Sequence, residues 1–409
     1  MRHQYLYTRC FLMQKFRKHL QLERIFYMDI IKGVYTSAKL FTTKNTATAI
    51  DDYAVAQLQM ICDNETAKDS IIRIMPDVHP GKVGTVGLTM TVGNKLMPNL
   101  IGIDIGCGMT LAQVKGKKPE FQRLDTVIRD NIPSGFNVRK KPHHQAENFD
   151  LNRLRCAKHI QKDKALLSLG TLGGGNHFLE VDMDDEKNLY VVIHSGSRHL
   201  GKEVTEHYLR EGQKALFAKG IEIPYELTYL EGQLLEDYLF DLQIVQEFAT
   251  LNRNIILDEV LKGMKWKIIE SYSSIHNYMD CSDTTMETFG APILRKGAIS
   301  AKEGEKVIIP INMRDGIILG TGLGNKDWNC SAPHGAGRIA KREDIKANFT
   351  LSAYKKEMKG IYSSCINKDT LDEAPFAYRK LDEIAEVIQD TVTINKIIKP
   401  VYNYKAGGN

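Results

Sequence analysis

The segment Leu100-Ile101-Gly102-Ile103-Asp104-Ile105-Gly106-Cys107-Gly108 sets the pattern from which the fold is read. An apolar run over residues 100–105 predicts a strand, and it gives way to glycines that flank a thiol. The same joint recurs along the chain. Residues 71–75 form a compact apolar run that Pro76-Asp77-Val78-His79-Pro80-Gly81 breaks. Gly173-Gly174-Gly175 precedes Asn176-His177, and residues 189–193 predict a strand ending at His194-Ser195-Gly196-Ser197-Arg198. Residues 307–309 are β-branched and stop at Pro310, and Pro333-His334-Gly335-Ala336-Gly337-Arg338 closes the series. At such joints backbone approaches a ligand closely and loops carry function.

Helices lie between the joints. Leu242, Val245, Ala249, Ile256 and Val260 recur at helical spacing with one gap, which Asn252 fills. An inward-facing asparagine needs partners; a local structural hydrogen bond and a role at a site are both open. Residues 202–218 also read as helix. The joints run from Asp77 to Arg338 and each needs the others, so the chain reads as one large α+β domain, not three small ones.

The bulk properties exclude several classes. The chain has 409 residues, of which 43% are hydrophobic and 26% charged, an ordinary globular composition. No apolar run approaches the roughly 18 residues of a membrane span, and the N-terminus lacks the apolar core of a secretory signal. The 7 cysteines are odd in number and form no C-x-x-C pair, which suits a reducing cytosol and makes any functional cysteine a lone thiolate. The net charge of +5 is carried by residues 1–27, where six basic residues stand against Glu23. The rest is formally neutral, so net charge gives no argument for nucleic-acid binding by the body of the protein. Met28 opens a more regular sequence, and residues 1–27 read better as an upstream start than as a working basic appendage. The expected division is a dispensable 1–27 extension and a 28–409 domain.

Asp104 and Cys107 on one glycine-lined turn, with His177, His194 and His276 at or near strand ends, form a candidate metal set, since carboxylate, thiolate and imidazole are all ligands. Each also has an ordinary reading: a turn aspartate, a small buried cysteine, a histidine among 12. Thiolate and imidazoles favour zinc or iron, while a carboxylate beside phosphate oxygens favours a harder ion. In His334-Gly335-Ala336-Gly337-Arg338 the glycines leave backbone N–H groups free to face an anion, and Arg338 adds a fixed charge suited to phosphate. The histidine there is open to three roles: nucleophile, general acid or hydrogen-bond donor. Gly173 to Asn176 is a second candidate nest.

Taken together, Met75-Pro76-Asp77-Val78-His79, Gly102 to Gly108, Gly173 to Glu180, His194 to Arg198, Ala301-Lys302-Glu303-Gly304 and Ser331 to Arg338 resemble, in this order, the RtcB family of RNA-splicing ligases. The resemblance covers nearly all of residues 28–405. It implies a single domain of mixed and antiparallel sheets flanked by helices, with the active site in a central cleft. It implies joining of RNA 3′-phosphate or 2′,3′-cyclic phosphate ends to 5′-hydroxyl ends, with GTP and two Mn²⁺ ions. The Cys107 thiolate would bridge the ions, with His194 and His276 completing one site and Asp104 and His177 the other. His334 resembles the guanylylated nucleophile, and Asp77 the acid that orients it. Asn176, Phe178, Glu180, Asn277, Pro310, Ile311, Asn312, Met313, Gly335, Ala336, Gly337 and Lys405 resemble the GTP-contacting positions, and Arg198 a receiver of RNA phosphate. Cys330, four residues before His334, departs from the pattern and reads as packing; the tail continues past Lys405 through Ala406-Gly407-Gly408-Asn409. Two rivals use the same residues: a dinuclear metal-dependent phosphodiesterase or cyclic phosphatase without a covalent histidine, and a protein that binds RNA ends without catalysis.

Overall fold

The computed structural model describes residues 30–42, 50–116 and 119–406. The 1–27 extension and residues 407–409 lie outside the described residues. Two sheets organise the rest into a single large domain. A seven-stranded sheet runs, in spatial order, Lys267–Ile275, Gly108–Lys115, Leu189–Ser195, Phe178–Met183, Val392–Lys405, Gly316–Gly322 and Lys306–Asn312, every pair antiparallel. A six-stranded sheet runs Ile30–Lys32, Ser37–Leu40, Ile72–His79, Val86–Thr91, Ile293–Lys296 and Asn277–Asp280, with one parallel pair, Ser37–Leu40 beside Ile72–His79. The expected mixed and antiparallel sheets flanked by helices are therefore what the chain builds. Among the described residues no helix is long and apolar enough to cross a membrane.

The long helix Gly232–Met264 unites the two halves. Its buried face carries Leu242, Val245, Ala249, Asn252, Ile256 and Val260 at spacings of three and four. One part packs with the six-stranded sheet, and Ile256, Leu257 and Val260 join a core that includes Val191, Ile193 and Val181 of the larger sheet. The second predicted helix is present as Arg198–Ala218. The chain passes from one sheet to the other at His276, which separates Lys267–Ile275 from Asn277–Asp280.

Three local readings are corrected. Residues 100–105 are not a strand: a short helical turn, Pro98–Leu100, leads into turns, and the strand begins after the glycines, at Gly108. Gly102 and Gly106 have φ of +90° and +70°, conformations that break a pleated run. Leu100, Ile101 and Ile105 are buried by packing, not by alternation. Pro76 does not end its strand, because Ile72–His79 continues through it with a register shift between Ile74 and His79. Pro310 likewise lies inside Lys306–Asn312, at a register shift on the edge strand of its sheet. Bulges and edges are where a residue without an N–H fits a sheet.

Asn252 resolves as a clamp. It is fully buried. Its Oδ1 accepts from the Gly170 and Thr171 amides at 2.8 and 3.0 Å. Its Nδ2 donates to the Thr171 carbonyl, Ser195 Oγ and the Gly196 carbonyl at 3.0–3.1 Å. One side chain thus ties the joint before Gly173 to the joint after His194. Replacing it by leucine strands several buried polar groups, each costing about 1–3 kcal/mol. Asn252→Leu should lower the urea-unfolding free energy by about 3 kcal/mol or more; a midpoint unchanged from the parent would show that the clamp contributes nothing.

Candidate active site

The five candidate ligands come together. Cys107 Sγ lies 3.3 Å from His177 Nε2 and 3.3 Å from His194 Nε2. His177 Nε2 is 3.1 Å from Asp104 Oδ2, and His194 Nε2 is 3.3 Å from His276 Nε2. The donor atoms form two groups, Asp104–Cys107–His177 and Cys107–His194–His276, each within 4.8 Å. Cys107 belongs to both, and only Asp104 is more than marginally exposed.

The local chain explains the convergence. Cys107 ends the turn that Asp104 starts, with the Cys107 amide donating to the Asp104 carbonyl at 3.2 Å. Gly196 is needed because a Cβ there would lie 2.1 Å from Asp104 Oδ1. His276 donates its amide to the Cys107 carbonyl at 2.9 Å. His194 Nδ1 lies 3.1 Å from the Asn176 carbonyl, which makes Nδ1 the protonated nitrogen and turns Nε2 to the cluster. Beneath it, the fully buried Arg253 donates to the Gly106 and Ser195 carbonyls at 2.8 and 3.0 Å.

The electrostatics fit a cation. Burial, then the neighbouring rings, hold His194 and His276 well below the usual imidazole range. Burial also opposes ionisation of Asp104, but His177 outweighs it and keeps the carboxyl low. Burial and Asp104 push the Cys107 thiol up. His177 Nδ1 and His276 Nδ1 are buried with no hydrogen-bond partner among the described residues. A buried thiol among imidazole nitrogens, with so few hydrogen bonds to settle their protons, is a donor set suited to a metal ion.

A cavity of about 140 Å³ opens beside the cluster. Asn176, Phe178, Glu180, Pro310, Ile311, Asn312, Met313, Gly335, Ala336, Gly337 and Lys405 all line it, as do His194, His276 and His334. Asn277 is not among the lining residues: its Nδ2 donates to the Asp104 carbonyl at 3.2 Å and its Oδ1 accepts from the Gly297 amide at 2.9 Å, so it braces the turn that carries Asp104. Cys330 is buried, and its Sγ donates to the Gly324 carbonyl at 3.3 Å, in keeping with the packing expectation.

His334 follows the short strand Ser331–Pro333. Its Nδ1 lies 2.6 Å from Oδ2 of the fully buried Asp77, which also accepts the His334 amide at 3.2 Å. With Nδ1–H donating to Asp77, Nε2 carries the free lone pair. The His334 and His276 ring centroids are 4.7 Å apart, so the imidazole touches the cluster. A Cβ at Gly337 would lie 2.5 Å from the Asp77 carbonyl oxygen, and its absence lets the nest close on the Asp77 strand. His79 also lines the cavity; burial lowers its pKa to about 4, and its Nδ1 lies 3.0 Å from the Asp77 carbonyl.

The far wall was not legible from the sequence. Glu373 is buried and binds Lys405, Arg338, Arg342 and the Tyr378 hydroxyl. Burial opposes its ionisation, but Lys405, Arg342 and Arg338 hold the carboxyl down to about 2. Arg338 is thus committed to the wall in this structure instead of standing free for phosphate. Arg253, Arg342, Glu373 and Tyr378 were all missed, and no local pattern distinguishes Glu373 from the other acids of the chain.

Arg198 lies elsewhere. It lines a second cavity with Asp104, His177 and Asn176, and Asn176 also lines the first. Its Nη2 donates to the Gly135 carbonyl at 2.7 Å and its Nε to Thr171 Oγ1 at 3.1 Å. Its φ of +55° is a strained conformation for a side-chain residue.

Comparison with known proteins agrees with this geometry. The family model described as tRNA-splicing ligase RtcB matches residues 55–155 and 140–406. The chain belongs to the RtcB family of RNA-splicing ligases. It is 30% identical over 368 residues to the RNA-splicing ligase RtcB of Escherichia coli (strain K12), covering 81% of this chain and 88% of that protein. It is 27% identical to the tRNA-splicing ligase RtcB of Nanoarchaeum equitans (91% and 94% covered) and 25% identical to that of Thermococcus kodakarensis (80% and 85%). By family the chain is a ligase, hence an enzyme.

Glu180 gives this RtcB-family site a pH signature. Burial lifts its carboxyl to about 7, against Asp182, Asn403 and Lys405, and burial beside Glu180 raises the Asp182 carboxyl with it. Folded Glu180 keeps its proton to that pH, while the unfolded side chain releases it near pH 4.5. Between these values the folded state binds more protons, so Glu180 withdraws stability as pH rises. Relative to Glu180→Gln, the parent should lose unfolding free energy from pH 4.5 to 7, measured by urea titration. Parallel stability profiles would refute the shift.

Proposed function

We propose that this chain joins RNA 3′-phosphate or 2′,3′-cyclic phosphate ends to 5′-hydroxyl ends, using GTP and two Mn²⁺ ions. The observation that carries the reading is the His334 imidazole: fixed at Nδ1 by buried Asp77, it opens Nε2 into a glycine-lined cavity beside a two-part ligand set that shares one thiol.

His334 Nε2 attacks the α-phosphorus of GTP, the bond to the β-phosphate oxygen breaks, and pyrophosphate leaves. Asp77 keeps the Nδ1 proton and stabilises the imidazolium that forms. The Gly335–Gly337 amides and Asn176 suit the phosphates, and Phe178, Glu180 and Lys405 suit the base end. Asp104, Cys107 and His177 would hold one Mn²⁺ and Cys107, His194 and His276 the other; Asn277 acts through the Asp104 turn. When bound, the ions neutralise phosphate charge and favour in-line displacement. A 3′-phosphate oxygen of the RNA then takes the guanylate from His334, with cleavage of the P–N bond. The 5′-hydroxyl attacks the activated 3′-phosphorus and GMP leaves. A cyclic phosphate must first be opened by water. Arg198, facing Asp104 and His177 from the second cavity, is suited to hold the RNA phosphate. The six described cysteines are all free thiols, in keeping with action in the reducing cytoplasm.

Incubation with Mn²⁺ and α-labelled GTP should leave an acid-labile label on His334, and His334→Ala should carry none. An unlabelled parent protein would favour the hydrolase or the end-binding reading instead. Cys107→Ala removes the one shared donor, so bound Mn²⁺, counted by metal analysis after dialysis, should fall from two ions towards none. Retention of both ions would refute the bridging role.

A further inference from the structure

We propose that Phe136 is a stacking platform for the terminal base of a single-stranded RNA 3′ end held in the second cavity. The inference rests on the ligase reading and adds to it a residue that reads the nucleotide itself.

Phe136 is 85% exposed, yet it does not stand on a loose loop. The Gly135 amide donates to the Gly173 carbonyl at 2.9 Å, the Leu172 amide to the Pro133 carbonyl at 2.9 Å, and the Asn137 amide to the Ser134 carbonyl at 3.3 Å. Arg198 Nη2 holds the Gly135 carbonyl. Just beyond, Arg139 is fastened through its Nε and Nη2 to the Leu169 and Gly170 carbonyls at 3.0 and 3.1 Å. The turn is therefore clamped to the strand joint that leads to His177, and its large apolar side chain is left in water.

The surroundings fit one occupant. Phe136 and the half-exposed Ile103 supply apolar surface on the second cavity, while Lys164, Lys202 and the largely buried Arg198 supply positive charge. Asp104 and His177 line it too. A chain end with its phosphate at Arg198 and the ligand cluster would carry its base outward past the turn. Cationic groups along a backbone path, with an aromatic ring at the base, make up the chemistry of single-strand recognition. The site is open to any base, because each presents a π-face.

Equilibrium binding of a fluorescent 3′-phosphorylated oligoribonucleotide, without GTP, tests this. Phe136→Ala should weaken binding roughly tenfold, and Phe136→Trp should retain it, as expected for loss and replacement of one stacking partner. An oligonucleotide lacking its 3′-terminal base should bind the parent as weakly as the intact one binds Phe136→Ala, and the alanine variant should bind both alike. Unchanged affinity in Phe136→Ala, or an equal loss on both oligonucleotides, overturns the proposal. Failure of the ligase reading shows separately, as an unlabelled His334 in the parent protein.

Discussion

The sulfur of Cys107 is the point on which the two sheets close. Its turn begins at Asp104, its strand starts one residue later, and its carbonyl receives the amide of His276, the residue at which the chain changes sheets. A thiol buried within 3.3 Å of two imidazole nitrogens gains little from the hydrophobic effect and has few hydrogen bonds to offset its burial. The surroundings supply what is missing. Arg253 places a positive charge below the turn, and burial only lowers its pKa to about 10. Asn252, its neighbour on the long helix, ties the two loops that bring in His177 and His194. A helix with Asn252 and Arg253 on its buried face looks like a flaw in an amphipathic pattern. It is the scaffold of the cluster.

The nucleophile candidate depends on a different irregularity. Asp77 lies on Ile72–His79 inside the stretch where register slips between Ile74 and His79. A regular ladder through Pro76 is impossible, and the bulge turns the Asp77 carboxylate toward the nest instead of into the sheet. Lys306–Asn312 bulges at the same relative place, next to its own proline, and that strand supplies one wall of the cavity. Two prolines that read as strand terminators therefore act as strand re-aimers, which is what bulges do beside active sites.

Much of the site was legible because its residues have few chemical substitutes. Cys107, Asp104 and the three histidines are distinctive types at glycine joints, and the order of the joints carried the family resemblance. The helix came from its period. What failed was local geometry. Residues 100–105 are as apolar as a strand but turn at Gly102 and Gly106, and apolarity alone cannot tell burial by pleating from burial by packing. Glu373 and Arg342 reach the cavity only through tertiary approach, and Phe136 carries no sequence signal beyond a glycine before it.

The wall around Glu373 explains how three cations can converge on one cavity. Lys405, Arg338 and Arg342 converge there, and unpaired they would repel one another in a poorly solvated place. One buried carboxylate engages all three, aided by Asp372, which binds Arg342 and Lys346. Such a network adds little to stability, since the desolvation of its members offsets their attraction. What it fixes is position: Arg338 and Lys405 are held against the Tyr378 and Phe178 rings, at 5.1 and 5.8 Å from the centroids, before any ligand arrives. The same network means that removing Lys405 leaves Glu373 to Arg338 and Arg342 alone, so the loss would be felt by the wall as a whole.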